Sequence, residues 1–144
     1  MSTVNLATAL NICTAALHKG REIGAAPLTV AVLDQAGRLV SLQREDGASL
    51  LRPEIATGKA WGALALGKPS RLIAADAEQR PAFIGAVNTL AQGNIVPVAG
   101  GVLVRNADGG VVGAVGISGD TSDVDELCAM AGVEASGLRA DNGL

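Results

Sequence analysis

Ring-bearing side chains are almost missing from this chain, and the smallest side chains take their place: of 144 residues, 26 are Ala and 19 are Gly, against one Trp, one Phe and no Tyr. A core built this way cannot draw on large buried rings. Its stability has to come from backbone approaching backbone, and surfaces of that kind also suit contacts between subunits. Apolar residues still make up 49% of the chain, which excludes intrinsic disorder. The length suffices for one compact domain with a real core and not for two. With no aromatic platform for bases and a net charge of -3, nucleic-acid binding is excluded.

The opening Met1-Ser2-Thr3-Val4-Asn5-Leu6 has neither the basic nor the continuous apolar region of a secretory signal. No apolar run approaches the roughly 18 residues of a membrane span. Cys13 and Cys128 read as buried reduced thiols, and the absence of any Cys-x-x-Cys or Cys/His cluster argues against zinc. The expectation is a cytoplasmic protein with no membrane partner and no bound metal ion.

Residues 4–22 fit an amphipathic helix with Leu6, Leu10, Cys13 and Leu17 as its apolar stripe. Residues 28–33 and 38–43 read as a hairpin whose turn, Asp34-Gln35-Ala36-Gly37, places Gly where φ is positive. Pro53 opens a second helix that Gly67-Lys68-Pro69 stops, with Gly58 and Gly62 leaving one flank bare for a close neighbour. Residues 70–93 read as two helical pieces, around Leu72 to Ala77 and Pro81 to Leu90. Strands return at 98–104 and 111–117, joined by Asn106-Ala107-Asp108-Gly109-Gly110. Ser122 and Asp125 look like a capping box for a last helix striped with Val124, Leu127, Cys128 and Ala131, and 138–144 look frayed. The expected fold is α+β: a single compact domain with an antiparallel sheet of about five strands flanked by helices.

His18 is the only histidine. It falls about 110° round the helix from the centre of the apolar stripe, outside the intramolecular core. It reads either as a solvent or interface residue, or as an axial ligand to haem iron or a proton carrier. The Gly116-Ile117-Ser118-Gly119 stretch lacks a residue needed for a nucleophile elbow, and Gly113 to Gly119 has the wrong spacing for a dinucleotide loop. The small-residue turn before the last helix could hold a carboxylate or propionate. Asp120, Asp123, Asp125 and Glu126 oppose that, and read as first-turn charges favourable to the helix or, less simply, as a cation site. Lys59, on a helix of small residues, could reach solvent or pair with Asp46. Alternatively Arg44, Arg52 and Lys59 form an anion pocket in which Asp46 or Glu54 moves a proton, with Trp61 as its apolar wall.

Three blocks carry a family resemblance. Val30-Ala-Val-Leu-Asp34-Gln-Ala-Gly37-Arg-Leu-Val leads to Arg44-Glu-Asp46-Gly47-Ala48; Ile55-Ala56-Thr57-Gly58-Lys59-Ala60 follows; Gly100-Gly101 through Gly113-Ala-Val-Gly116-Ile-Ser118-Gly119 precedes Asp125 to Ala129. In this order they resemble the GlcG/HbpS-like family of haem-binding or haem-degrading domains, over roughly residues 6–135. The resemblance implies one domain across 1–144, assembled into dimers and then larger homo-oligomers up to octamers, with the pocket at a subunit boundary. It implies haem as a possible cofactor, with His18 as axial ligand and Arg44, Arg52 or Lys59 anchoring propionates. Where the chain departs from its relatives, in its lack of rings and in Arg52-Pro53-Glu54, it leaves room for a polar small-molecule ligand. Two alternatives stand beside haem binding. One is an isomerase- or lyase-type enzyme acting on a carboxylate- or carbonyl-bearing metabolite, with Lys59, Glu54 and Asp46 as its catalytic set. The other is a non-catalytic assembly protein.

Overall fold

The computed structural model describes residues 2–144. Its elements run α1 (Leu6–Glu22), β1 (Thr29–Asp34), β2 (Leu39–Arg44), α2 (Arg52–Leu66), α3 (Ser70–Gln79), α4 (Pro81–Leu90), β3 (Gly101–Arg105), β4 (Val111–Ser118), α5 (Ser122–Ala135) and β5 (Arg139–Asp141). The strands form one antiparallel sheet in the order β2-β1-β4-β3-β5. This is the expected α+β fold, five helices around a five-stranded open sheet.

Alternation along each strand sends neighbouring side chains to opposite faces. On one face Val30, Val32, Val102, Val104, Val115 and Ile117 meet Ala9, Ile12, Cys13 and Ala16 of α1 and Cys128, Ala129 and Val133 of α5. On the other, Leu33, Leu103 and Ala114 meet Ala60 and Ala63 of α2. A smaller cluster of Ile73, Ile84 and Ile95 sits under α3, α4 and the segment that follows them.

Two local expectations are corrected by how closely these layers meet. The buried side of α1 is Ala9, Ile12, Cys13, Ala16 and Gly20, while Leu6 and Leu10 face outward. A Cβ added at Gly132 of α5 would lie 2.7 Å from the Ile12 carbonyl oxygen. The two helices therefore meet through Ile12 and the small residues around it, and Leu6 and Leu10 turn outward. Leu127 of α5 is exposed as well. The second correction is at the C-terminus: residues 139–141 are not frayed but pair with β3 from Leu103↔Asp141 to Arg105↔Arg139, and the Arg105 guanidinium holds the Asp141 carboxylate at 2.8 Å.

The bare flank of α2 is filled as expected. The Val96 side chain lies over Gly58, and the Val96 N–H donates to the Gly58 carbonyl at 3.3 Å. At Gly116, the middle of β4, any Cβ would overlap the Ala56 carbonyl oxygen. That contact lays the first half of α2 directly on the strand and puts its N-terminal turn over the strand's end.

Candidate functional site

Lys59 is buried, and its partner is not Asp46. The ammonium donates to Asp125 Oδ2 at 3.2 Å and to the Ile117 carbonyl at 2.9 Å. Because α2 and α5 cover opposite faces, this pair passes round the end of β4 and ties the two layers together. Gly100 makes the passage possible, since a Cβ there would sit 2.8 Å from Nζ. Burial pulls the Lys59 ammonium below its ordinary range, with the Asp125 charge acting against that shift. Burial likewise lifts the Asp125 carboxyl, opposed by the Asp120 N–H and by Lys59.

The acids at the start of α5 are thereby explained. Thr121, not Ser122, is the residue before the helix, and the expected capping box does not form. Asp125 instead reaches back to accept the Asp120 N–H through its other oxygen at 2.9 Å. Asp120 accepts from the Ala26 and Thr121 N–H groups. Glu126 takes a two-pronged pair from Arg71 of α3, at 2.6 and 3.2 Å. Among the described residues no three His, Cys, Asp or Glu side chains gather as metal ligands would.

The other candidates lie in three separate places on the chain. His18 stands on the outward face of α1, its side chain 79% exposed, with Glu22 Oε2 at 3.8 Å from Nε2. One turn on, Arg21 joins Arg44, Pro27, Glu45 and Asp46 around an open cleft of about 420 Å³. Arg21 is held by Glu45 at 3.1 Å, whereas the hydrogen bond of Arg44 goes to the Ala48 carbonyl at 3.0 Å. Glu54 lies elsewhere, in a mainly apolar groove of about 750 Å³ walled by Leu39, Leu42, Trp61 and Val96. Trp61 is thus a wall of a groove, but of Glu54's groove and not of a pocket around Lys59.

Arg52 opens α2 and turns toward the strand end. Its Nη1 donates to Ser118 Oγ at 3.0 Å and its Nε to Ser49 Oγ at 3.0 Å. It shares this corner with Lys59, whose charge it disfavours. Two residues here escaped the sequence reading, Ser118 as a polar side chain and Thr29. Both are fully buried, they face each other across β1 and β4, and the Thr29 hydroxyl has no partner among the described residues. A hydroxyl at the start of a strand carries no signal until the register is known.

A family model described as haem degrading protein HbpS-like matches residues 4–134. An uncharacterized 15.0 kDa protein in the dhaT-dhaS intergenic region of Citrobacter freundii is 34% identical over 129 residues, covering 90% of this chain and 89% of its own. Among solved structures, Klebsiella pneumoniae protein ORFY is similar with a TM-score of 0.86 at 28% identity, over 95% of this chain and 92% of its own. HbpS is similar with a TM-score of 0.79 at 28% identity, over 93% and 90%. A PduOC:heme complex shares the fold at a TM-score of 0.86 and 23% identity, over 96% and 99%.

Proposed function

This chain belongs to the HbpS-like family of haem-degrading proteins, and from that premise we propose that it is a cytoplasmic haem-binding homo-oligomer. One observation carries the reading: the single imidazole is exposed on α1, one helical turn from a cleft that Arg21 and Arg44 share. Residues three apart on a helix are surface neighbours, so the imidazole and the Arg21 guanidinium stand side by side, and Arg44 of β2 lines the cleft with Arg21.

The residues fit the group in kind. His18 offers an imidazole nitrogen for iron, with the Glu22 carboxylate near its ring. Arg44, less committed than Arg21, anchors a propionate by charge-assisted hydrogen bonds. Leu6 and Leu10 supply apolar surface on the same outward side of α1. Haem, when bound, supplies redox chemistry at iron; the chain's own residues bind, orient and shield it. Arg52 and Lys59 take no part, because Arg52 is turned to Ser118 and Lys59 to Asp125. The cleft is open, and a second subunit closes it, in a dimer that builds toward an octamer. No helix among the described residues is long and apolar enough to cross a membrane.

Hemin titration followed by the Soret band tests this. The wild type is expected to give a shifted, saturable band, His18→Ala to lose it, and Arg44→Ala to weaken affinity about tenfold. An absent band, or an unchanged His18→Ala spectrum, defeats the assignment.

A second reading is favoured by the groove of about 750 Å³, where Glu54 meets apolar walls. There the carboxylate would move a proton on a carbonyl-bearing metabolite. Turnover that survives Glu54→Gln unchanged would count against it.

A further inference from the structure

The corner where α2 meets the end of the sheet holds more donors than the fold uses. Thr29 of β1 pairs in register with Ser118 of β4 on one side and with Arg44 of β2 on the other. Since partners in register project to one face, these three side chains form a row on the face that α2 covers. Gly116, beneath Ala56, lies two residues before Ser118, and Arg52 lies one helical turn before Ala56. The first turn of α2 therefore stands over this row, and no side chain caps that helix end.

Two hydroxyls in the row have protons with no acceptor among the described residues. Ser118 Oγ accepts from Arg52 but donates to nothing, and buried Thr29 Oγ1 has no partner at all. Leaving a buried polar atom unmet is costly, so an unmet hydroxyl beside a guanidinium marks a place for something else. Of the nearby negative charges, Asp125 is paired with Lys59 and Glu45 with Arg21 and the Leu28 N–H, while Glu54 lines the apolar groove and Asp46 the open cleft.

We propose that Thr29, Ser118 and Arg52, beneath the uncapped N-terminus of α2, form a binding site for the carboxylate group of a small organic acid, with Arg44 at its rim. The two hydroxyls donate to the carboxylate oxygens, Arg52 supplies charge from the helix side, and the N-terminal dipole of α2 adds to it. Thr29 and Ser118 stand directly opposite on strands about 4.8 Å apart, so both hydroxyls reach the oxygens of one small group lying between them. The site does not involve His18, and it shares only its rim residue, Arg44, with the haem reading.

The test is an NMR titration of the full-length ¹⁵N-labelled protein with sodium acetate, with sodium chloride and sodium phosphate as parallel arms at equal ionic strength. Acetate is expected to give saturable shifts centred on the amides of Thr29, Ser118 and Glu54, with a dissociation constant in about the millimolar range. Thr29→Val and Ser118→Ala should each weaken it about tenfold, Arg52→Gln more, and Arg52→Lys should recover part of the loss. His18→Ala should bind acetate as the wild type does, which separates this result from the hemin titration. The same spectra report whether each variant is folded, and the location of the wild-type shifts decides the matter if one is not. No saturable acetate shift, shifts elsewhere, equal response to chloride, preference for phosphate, or an unchanged Thr29→Val affinity would each overturn the proposal.

Discussion

Lys59 and Asp125 face each other in the interior from positions 66 apart in sequence. Removing one member leaves the other charge buried without its partner, so Lys59→Met or Asp125→Asn should each lower stability by about 3–5 kcal/mol in urea unfolding. Replacing both together, as Lys59→Met with Asp125→Leu, should cost much less than the two single losses added, because no orphan charge remains. Cys128 gives a pH signature. Burial pushes its thiol up to about 11 from 9.0, so the folded state favours the protonated form. The raised value means that this contribution is complete below pH 9.0 and is lost as pH rises through 11. Urea midpoints measured on both sides of that window should fall more steeply for the wild type than for Cys128→Ala.

Among the elements, glycines with the same formula have opposite roles. Gly116→Ala should prevent folding or lower the melting temperature sharply, because a Cβ would overlap the Ala56 carbonyl oxygen. Gly85, inside α4, has open space around it, so Gly85→Ala should raise stability by about 0.5–1 kcal/mol in the same melts. This contrast also says what could be read from the sequence. The helices, both hairpins and the filled flank of α2 were legible, since Pro53, Gly37 and the Asn106–Gly110 turn act through local backbone chemistry. The side of α1 that turns inward was not, because periodicity weights leucine over alanine whereas the face that meets α5 is Ile12 set among Ala9, Cys13, Ala16 and Gly20. The strand at 139–141 was missed because its partner, β3, is far away in sequence. The site fared likewise. Arg52 and Lys59 come near one corner, but Asp125 reaches Lys59 from α5, and Ser118 and Thr29 meet there only through the register of β1 with β4.

For the whole molecule, the leucines that small-residue packing displaces to the surface, Leu6 and Leu10 on α1 and Leu127 on α5, are the natural place to probe assembly. Sedimentation equilibrium is expected to return a multiple of the chain mass, and Leu10→Glu to shift it toward the single chain while the helical circular dichroism is kept. A monomeric wild type would remove the shared cleft from the haem reading. The order β2-β1-β4-β3-β5 also sets a timetable for synthesis. The first hairpin leaves the ribosome early, yet its inner edge must wait for residues 111–118 before it is covered. The cation at 59 finds its partner later in synthesis than that edge does, in an acid that emerges 66 residues after it. Throughout the making of α3 and α4 the nascent chain therefore carries an open strand edge and an uncompensated lysine, the condition in which chaperones are most needed.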